Sequence, residues 1–146
     1  METVDIKGDP RIAFDTTSDI LDKNKLKPDA FVCLEAIACK EVADVLERKK
    51  ITGKTIIAMD TDQGTLEWIK RGAIAATIAQ KPFTMAYYGL KMLADLHLNK
   101  PSGIDQNLAQ NAQSPLPVFI DTGATLIDKS NVDTFITQRD SAAASQ

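Results

Sequence analysis

Apolar and polar positions change rhythm several times along the chain, and each change marks an element. Residues 3–7 alternate, with Val4 and Ile6 set between Thr3, Asp5 and Lys7, the period-two pattern of a strand. Gly8-Asp9-Pro10-Arg11 follows, where Asp9 is placed to cap a helix and Pro10 suits its first position. Ile12, Thr16, Ile20 and Leu21 continue at helical spacing until Lys27-Pro28-Asp29, because the residue before a proline avoids the α region. Ala30, Phe31, Val32, Cys33 and Leu34 form an unbroken apolar run, the signature of a strand covered on both faces. Ile37, Ala38, Val42, Val45 and Leu46 then line one face of a helix whose basic end, Arg48-Lys49-Lys50, complements its dipole.

The alternation continues. Thr52-Gly53-Lys54 turns into a third strand, Thr55-Ile56-Ile57-Ala58-Met59. A short helix from Thr65 to Arg71 stops at Gly72, a residue suited to a left-handed cap, and residues 75–79 make a fourth strand. Strands separated by helices pair in parallel, so the expected fold class is α/β with a doubly wound, mostly parallel sheet. After Pro82 a longer helix over residues 83–99 carries Met85, Tyr88, Gly89, Met92, Leu93 and Leu96 on one face, and Lys100-Pro101 ends it. Residues 102–114 are polar, without periodicity, and read as a loop. Strand patterns return at residues 117–121 and 124–127, and Ser130 is placed to cap a last helix over residues 131–136. The expected division is an α/β segment at 1–82, a crossover helix, loop and closing strands at 83–136, and a disordered tail at 137–146.

Composition narrows the function. The chain has 146 residues, and its 17 basic and 20 acidic side chains give a formal charge of −3 without a basic stripe, which excludes a nucleic-acid partner. No apolar run is long enough to span a bilayer, so no membrane span is expected. Residues 1–5 lack the basic start and apolar stretch of a secretory signal, leaving a cytoplasmic chain or a piece whose signal lay upstream. Cys33 and Cys39 fit neither a zinc pair nor a redox motif, and His97 lies far along the chain, so the cysteines read as free thiols. No metal site and no cofactor are expected. Gly8-Asp9-Pro10 is not a dinucleotide-binding turn, and His97 completes no nucleophilic triad, so the chain reads as a binding module and not an enzyme.

Open parallel sheets bind ligands in the crevice outside the carboxyl ends of their strands. The four strands are followed in turn by Asp9 with Arg11, by Glu35, by Asp60 with Asp62, and by Gln80. Carboxylates that accept and guanidinium and amide groups that donate make the hydrogen-bonding set a sugar needs. Each has a structural alternative. Asp60 or Asp62 is equally placed to cap the following helix, Glu35 to do the same for its own helix, and Arg11 to lie on a solvated helix face.

The order of motifs carries a resemblance. Gly72-Ala73-Ile74-Ala75-Ala76-Thr77-Ile78-Ala79-Gln80-Lys81-Pro82 resembles the "G-x-I-x-A-T-x-x-Q-x-P" segment of type 1 periplasmic sugar-binding proteins of ABC transporters, the group that includes ribose-binding proteins. Ile56-Ile57-Ala58-Met59-Asp60 is similar to the family's strand ending in Asp, and Lys27-Pro28-Asp29-Ala30-Phe31 to its lead into the preceding strand. Ile120-Asp121-Thr122-Gly123 and Leu126-Ile127-Asp128-Lys129-Ser130-Asn131 resemble its closing segment.

The resemblance implies the carboxy-terminal part of a solute receptor, one incomplete lobe of a two-lobed fold plus a crossover helix and strand. It implies a monosaccharide or small polyol as ligand, an ABC transporter permease as partner, and a periplasmic or extracellular location. Asp60 and Gln80 match sugar-bonding positions, and Arg11 aligns loosely with another. Glu35 stands where many members have Asn, which makes the site more acidic. The amino-terminal lobe has no counterpart here, so either a second chain supplies it or the fragment associates with itself. Two other classes share parts of the pattern. The effector domain of a lactose-repressor-type regulator shares the fold, but no helix-turn-helix is present. A signalling receiver domain also has an acidic strand end and a Lys-Pro pair, here Lys81-Pro82, but it needs a further βα unit between Asp60 and Lys81.

Overall fold

The computed structural model describes residues 1–23, 27–99, 114 and 117–144. The polar loop expected over residues 102–114 falls outside them except for Ser114. In order come α1 (Pro10–Asp22), β1 (Ala30–Val32), α2 (Ala38–Arg48), β2 (Thr55–Met59), α3 (Gln63–Arg71), β3 (Ala76–Ala79), α4 (Pro82–Leu98), β4 (Thr125–Asp128) and α5 (Val132–Ala144). They form two compact units, one of Met1–Ala79 with Thr125–Gln146 and one of Gln80–Ala124. β4 and α5 therefore join the first unit, although the sequence reading grouped them with the crossover helix.

The first unit holds a four-stranded sheet in the order β1-β2-β3-β4. β1, β2 and β3 run parallel, with Phe31 beside Ile56 and Ala58 beside Thr77, while β4 pairs antiparallel to β3. This is the mostly parallel α/β architecture expected. α2 packs on β1 and β2, α5 on β4, α3 beside α2 and α5, and α1 on α2. One sheet face supplies Phe31, Ile56, Ala58, Ala79 and Ile127 to the core, where they meet Val42, Leu46, Leu66, Ile69 and Val132.

The other face is less covered. Val32 is 65% exposed and Leu126 53%, and Leu34 beyond the end of β1 is 76% exposed. The apolar run at residues 30–34 is thus half open, against the expectation that both faces are covered. A sheet whose helices lie on one side leaves alternate residues of each strand in solvent. Residues 3–7 form no strand either. The Lys7 N–H turns back to the Asp5 carboxylate at 2.8 Å and the Asp9 N–H to the Ile6 carbonyl at 2.9 Å, and only Ile6 reaches the core. Residues 117–121 are likewise outside any strand, and Val118 and Phe119 are exposed. Alternation makes a segment able to pair, but a strand needs a free sheet edge beside it.

Helix ends follow local chemistry. Asp9 caps α1 by accepting from the Arg11 N–H, and Pro10 stands at its start, as the sequence implied. Gly72 ends α3 at φ 79°, a left-handed conformation in which a side chain would be strained. Asp62 caps α3, accepting from the Thr65 N–H at 3.3 Å and its hydroxyl at 2.5 Å. Thr65 is fully buried, so Asp62→Ala strands two donors and is expected to cost about 1–2 kcal/mol, read as a lowered urea midpoint at constant m.

Ser130 plays a different part from the cap expected of it. Its N–H and hydroxyl both donate to Asp128, at 2.7 and 2.5 Å, and hold that carboxyl below the usual carboxylate range. Asn131 fastens the same turn through the Asp128 N–H and the Leu126 carbonyl, both at 2.9 Å. α5 then runs to Ala144, well past the end expected at residue 136. Ala142 to Ala144 are strong helix formers, and the sequence reading took them for a tail.

The second unit contains α4 and residues up to Ala124. Within it the Gly123 N–H donates to the Asp121 carboxylate at 2.7 Å. Gly123 sits at φ 79°, and a Cβ there would lie 3.0 Å from Lys81 Nζ. Glycine satisfies both the backbone angle and the close approach of the lysine. Of the described helices, none is long and apolar enough to cross a membrane.

Candidate ligand site at the strand ends

Because β1, β2 and β3 are parallel, their carboxyl ends lie along one edge of the sheet. β1 ends at Val32, three residues before Glu35, and β2 ends at Met59, immediately before Asp60. β3 ends at Ala79, and Gln80 is the next residue. The topology therefore delivers these three residues after neighbouring parallel strands.

Asp60 is the most constrained of them. Its φ is 68°, in the left-handed region that costs an ordinary side chain about 1–2 kcal/mol and that Asp tolerates better than most. Two bonds from β3 hold it there. The Asp60 N–H donates to the Ile78 carbonyl at 2.9 Å, and the Asp60 carbonyl accepts from the Thr77 hydroxyl at 2.6 Å. Thr77 is 0% exposed, so its hydroxyl has no solvent to turn to. Strained backbone that neighbouring groups over-determine is common at functional sites. The helix-capping alternative for Asp60 does not apply, since Asp62 fills that role.

The support that Thr77 gives Asp60 leaves no sequence signal, since its side chain bonds the carbonyl beyond a neighbouring strand. Thr77→Val keeps the shape and removes the donor. We expect it to destabilise the fold by about 1 kcal/mol, the net worth of the lost hydrogen bond to a half-buried carbonyl. Faster hydrogen exchange at the Asp60 amide, with β1 unchanged, is the accompanying sign.

Glu35 lies on the loop between β1 and α2 and is exposed. Its backbone carbonyl accepts from the Ala38 N–H at 3.2 Å, while Ile37 at the start of α2 makes no side-chain cap. The Glu35 carboxylate is therefore not the cap of α2. The loop is tied by a disulfide between Cys33 and Cys39, which corrects the expectation of free thiols. The cysteines are six residues apart, and their Cα atoms are 5.7 Å apart because the chain doubles back from strand into helix. Gln80 is exposed and belongs to the second unit. Arg11 is exposed on the first turn of α1, which packs on α2.

The described residues hold no group of three His, Cys, Asp or Glu side chains placed to bind a metal. An open depression of about 590 Å³ lies along α1, lined by Phe14, Asp15, Ser18, Asp19 and Lys23, and contains none of the strand-end residues. Glu35, Asp60 and Gln80 each follow the carboxyl end of a strand of the sheet. The open edge of a sheet closes over a ligand only when a second surface meets it.

The sheet is parallel-dominated, with Glu35 and Asp60 following two of its strands. Residues 1–101 match the model of the periplasmic binding protein domain, and the chain belongs to that family. Its structure is similar to a sugar ABC transporter sugar-binding protein from Bacillus halodurans, at 30% identity and TM-score 0.63, over 88% of this chain and 43% of that one. It is similar to an arabinose binding protein from Geobacillus stearothermophilus at 29% identity and TM-score 0.63, over 88% and 42%. A glucose-galactose binding protein from the same organism matches at 27% identity and TM-score 0.69, over 86% and 40%. The chain thus spans about two fifths of the length of each of these structures. No curated protein sequence matches it significantly.

Proposed function

We propose that this chain is part of a sugar receptor of an ABC transport system, acting outside the cytoplasm and handing its ligand to a membrane permease. Glu35 and Asp60 accept hydrogen bonds from the hydroxyls of a monosaccharide, Gln80 donates and accepts with its amide, and Arg11 donates from α1. The observation that carries this reading is Asp60, held at φ 68° directly beyond β2 by two bonds from β3. A backbone held in this way limits where the Asp60 carboxylate can sit before a ligand arrives, which lowers the ordering cost of binding. The family and the sugar-binding neighbours support the solute class. The role is binding, with no covalent step.

The test is a nitrogen-15 NMR titration of the chain with L-arabinose, D-ribose, D-glucose and D-galactose at millimolar concentrations. One half of a cleft should bind weakly, and the expected result is saturable shifts at the Glu35, Asp60 and Gln80 amides with one sugar favoured. Saturable shifts confined to the α1 depression, or identical small shifts with every sugar and with a non-polyol control, would overturn the assignment.

A further inference from the structure

The disulfide encloses one of the residues placed in the ligand site. Cys33 follows β1 directly, Cys39 lies in the first turn of α2, and Glu35 is the second residue inside the loop they close. Few other bonds hold this loop. The Cys33 N–H extends the ladder to the Ile57 carbonyl at 2.9 Å, and the Ala38 N–H reaches the Glu35 carbonyl at 3.2 Å. No side chain caps α2, so the disulfide is the covalent tie across this strand-to-helix turn.

We propose that the Cys33–Cys39 disulfide positions Glu35, clamping its loop so that the acid is already in place for the sugar when the pair is oxidised. This rests on the reading of Glu35 as a ligand group. Cys33 is 8% exposed and Cys39 0%, so the link sits under the loop and braces it against the sheet. Such bonds persist in oxidising compartments and are rare in reducing ones, so the clamp would be set where a receptor works. Its loss should be local. Cys39 Sγ lies 3.3 Å from the Ile57 carbonyl oxygen, where a reduced thiol can donate its hydrogen, and both side chains stay in the apolar core. Reduction adds two electrons and two protons from a dithiol reagent, giving two thiols and the oxidised reagent.

Three measurements test the clamp. Intact mass after alkylation, on chain made in an oxidising compartment, should show two added groups only after reduction. Hydrogen exchange should quicken about tenfold at Leu34 to Ala38 on reduction, or in Cys33→Ala/Cys39→Ala, while β2 and α3 keep their protection. The favoured sugar from the panel above should bind roughly tenfold more weakly to the reduced chain, because the loop then has to be ordered on binding. That loss should vanish in a Glu35→Ala background, a non-additivity that a purely structural staple would not produce. Free thiols in the oxidised preparation, unchanged exchange in the loop, or an equal loss with Glu35→Ala would each overturn the proposal. If neither redox state binds any sugar, the reading of the site fails, and the exchange result still decides whether the loop is clamped.

Discussion

On the proposed function, Asp60→Ala in a receptor containing this segment is expected to weaken sugar binding by about 1.5–3 kcal/mol, roughly ten- to more than hundredfold in Kd. A carboxylate bonded to hydroxyls in a closed cleft is a charge-assisted acceptor, and its removal leaves the sugar donors without a partner. Position 60 adds a complication, because its φ of 68° suits alanine poorly. Part of any loss in Asp60→Ala would then come from a relaxed turn. Asp60→Asn separates the two contributions, since Asn tolerates the left-handed region and removes the charge alone. Calorimetry should show Asn losing less than Ala but still several-fold, with both variants keeping the cooperative unfolding of the parent. An unchanged dissociation constant in both would remove Asp60 from the site.

How far such a site could be read from sequence depends on where its constraints lie. β2 was legible because the turn at Gly53-Lys54 precedes and Asp60 follows a five-residue strand with four apolar residues in a row, Ile56 to Met59. Asp9, Pro10 and Gly72 were legible because a cap acts on residues a few positions away. That Glu35, Asp60 and Gln80 come after neighbouring parallel strands followed from the strand pattern, and their contact with a ligand is a proposal. The bonds that hold Asp60 and the Glu35 loop did not follow. Thr77 clamps Asp60 from a different strand, and Cys33 meets Cys39 only because the chain turns between them. Neither contact has a sequence period. Residues 3–7 and 117–121 mislead for the converse reason. Their patterns are those of strands, but pairing is a property of the neighbour as much as of the segment. Arg11 stays a proposal resting on alignment, because its helix packs on α2 and its side chain is exposed.

The second large effect belongs to α4. The sequence pointed to one apolar face, with Met85, Tyr88, Met92, Leu93 and Leu96, that has to leave water. The structure adds Phe83, Tyr87, Leu90 and Leu98, and all four are exposed. Phe83, Tyr87 and Leu90 lie at helical spacing and make a second stripe beside the first. None of the residues of α4 is buried. A helix that is apolar on most sides belongs in an interior, and an exposed patch of this kind is uncommon on a soluble monomer. At about 25 cal/mol per Å², covering five or six such side chains is worth on the order of several kcal/mol. We therefore propose that the isolated chain associates, each copy using the α4 of another to shield its own. Sedimentation equilibrium across micromolar to near-millimolar concentration should reveal a concentration-dependent dimer or larger species. Leu90→Glu with Leu93→Glu should return it to monomer without altering the sheet unit, because both side chains are exposed. The charges would also destabilise any contact that buried them. A parent chain that stays strictly monomeric, with α4 amides exchanging freely, would show that the helix needs no partner and refute the account.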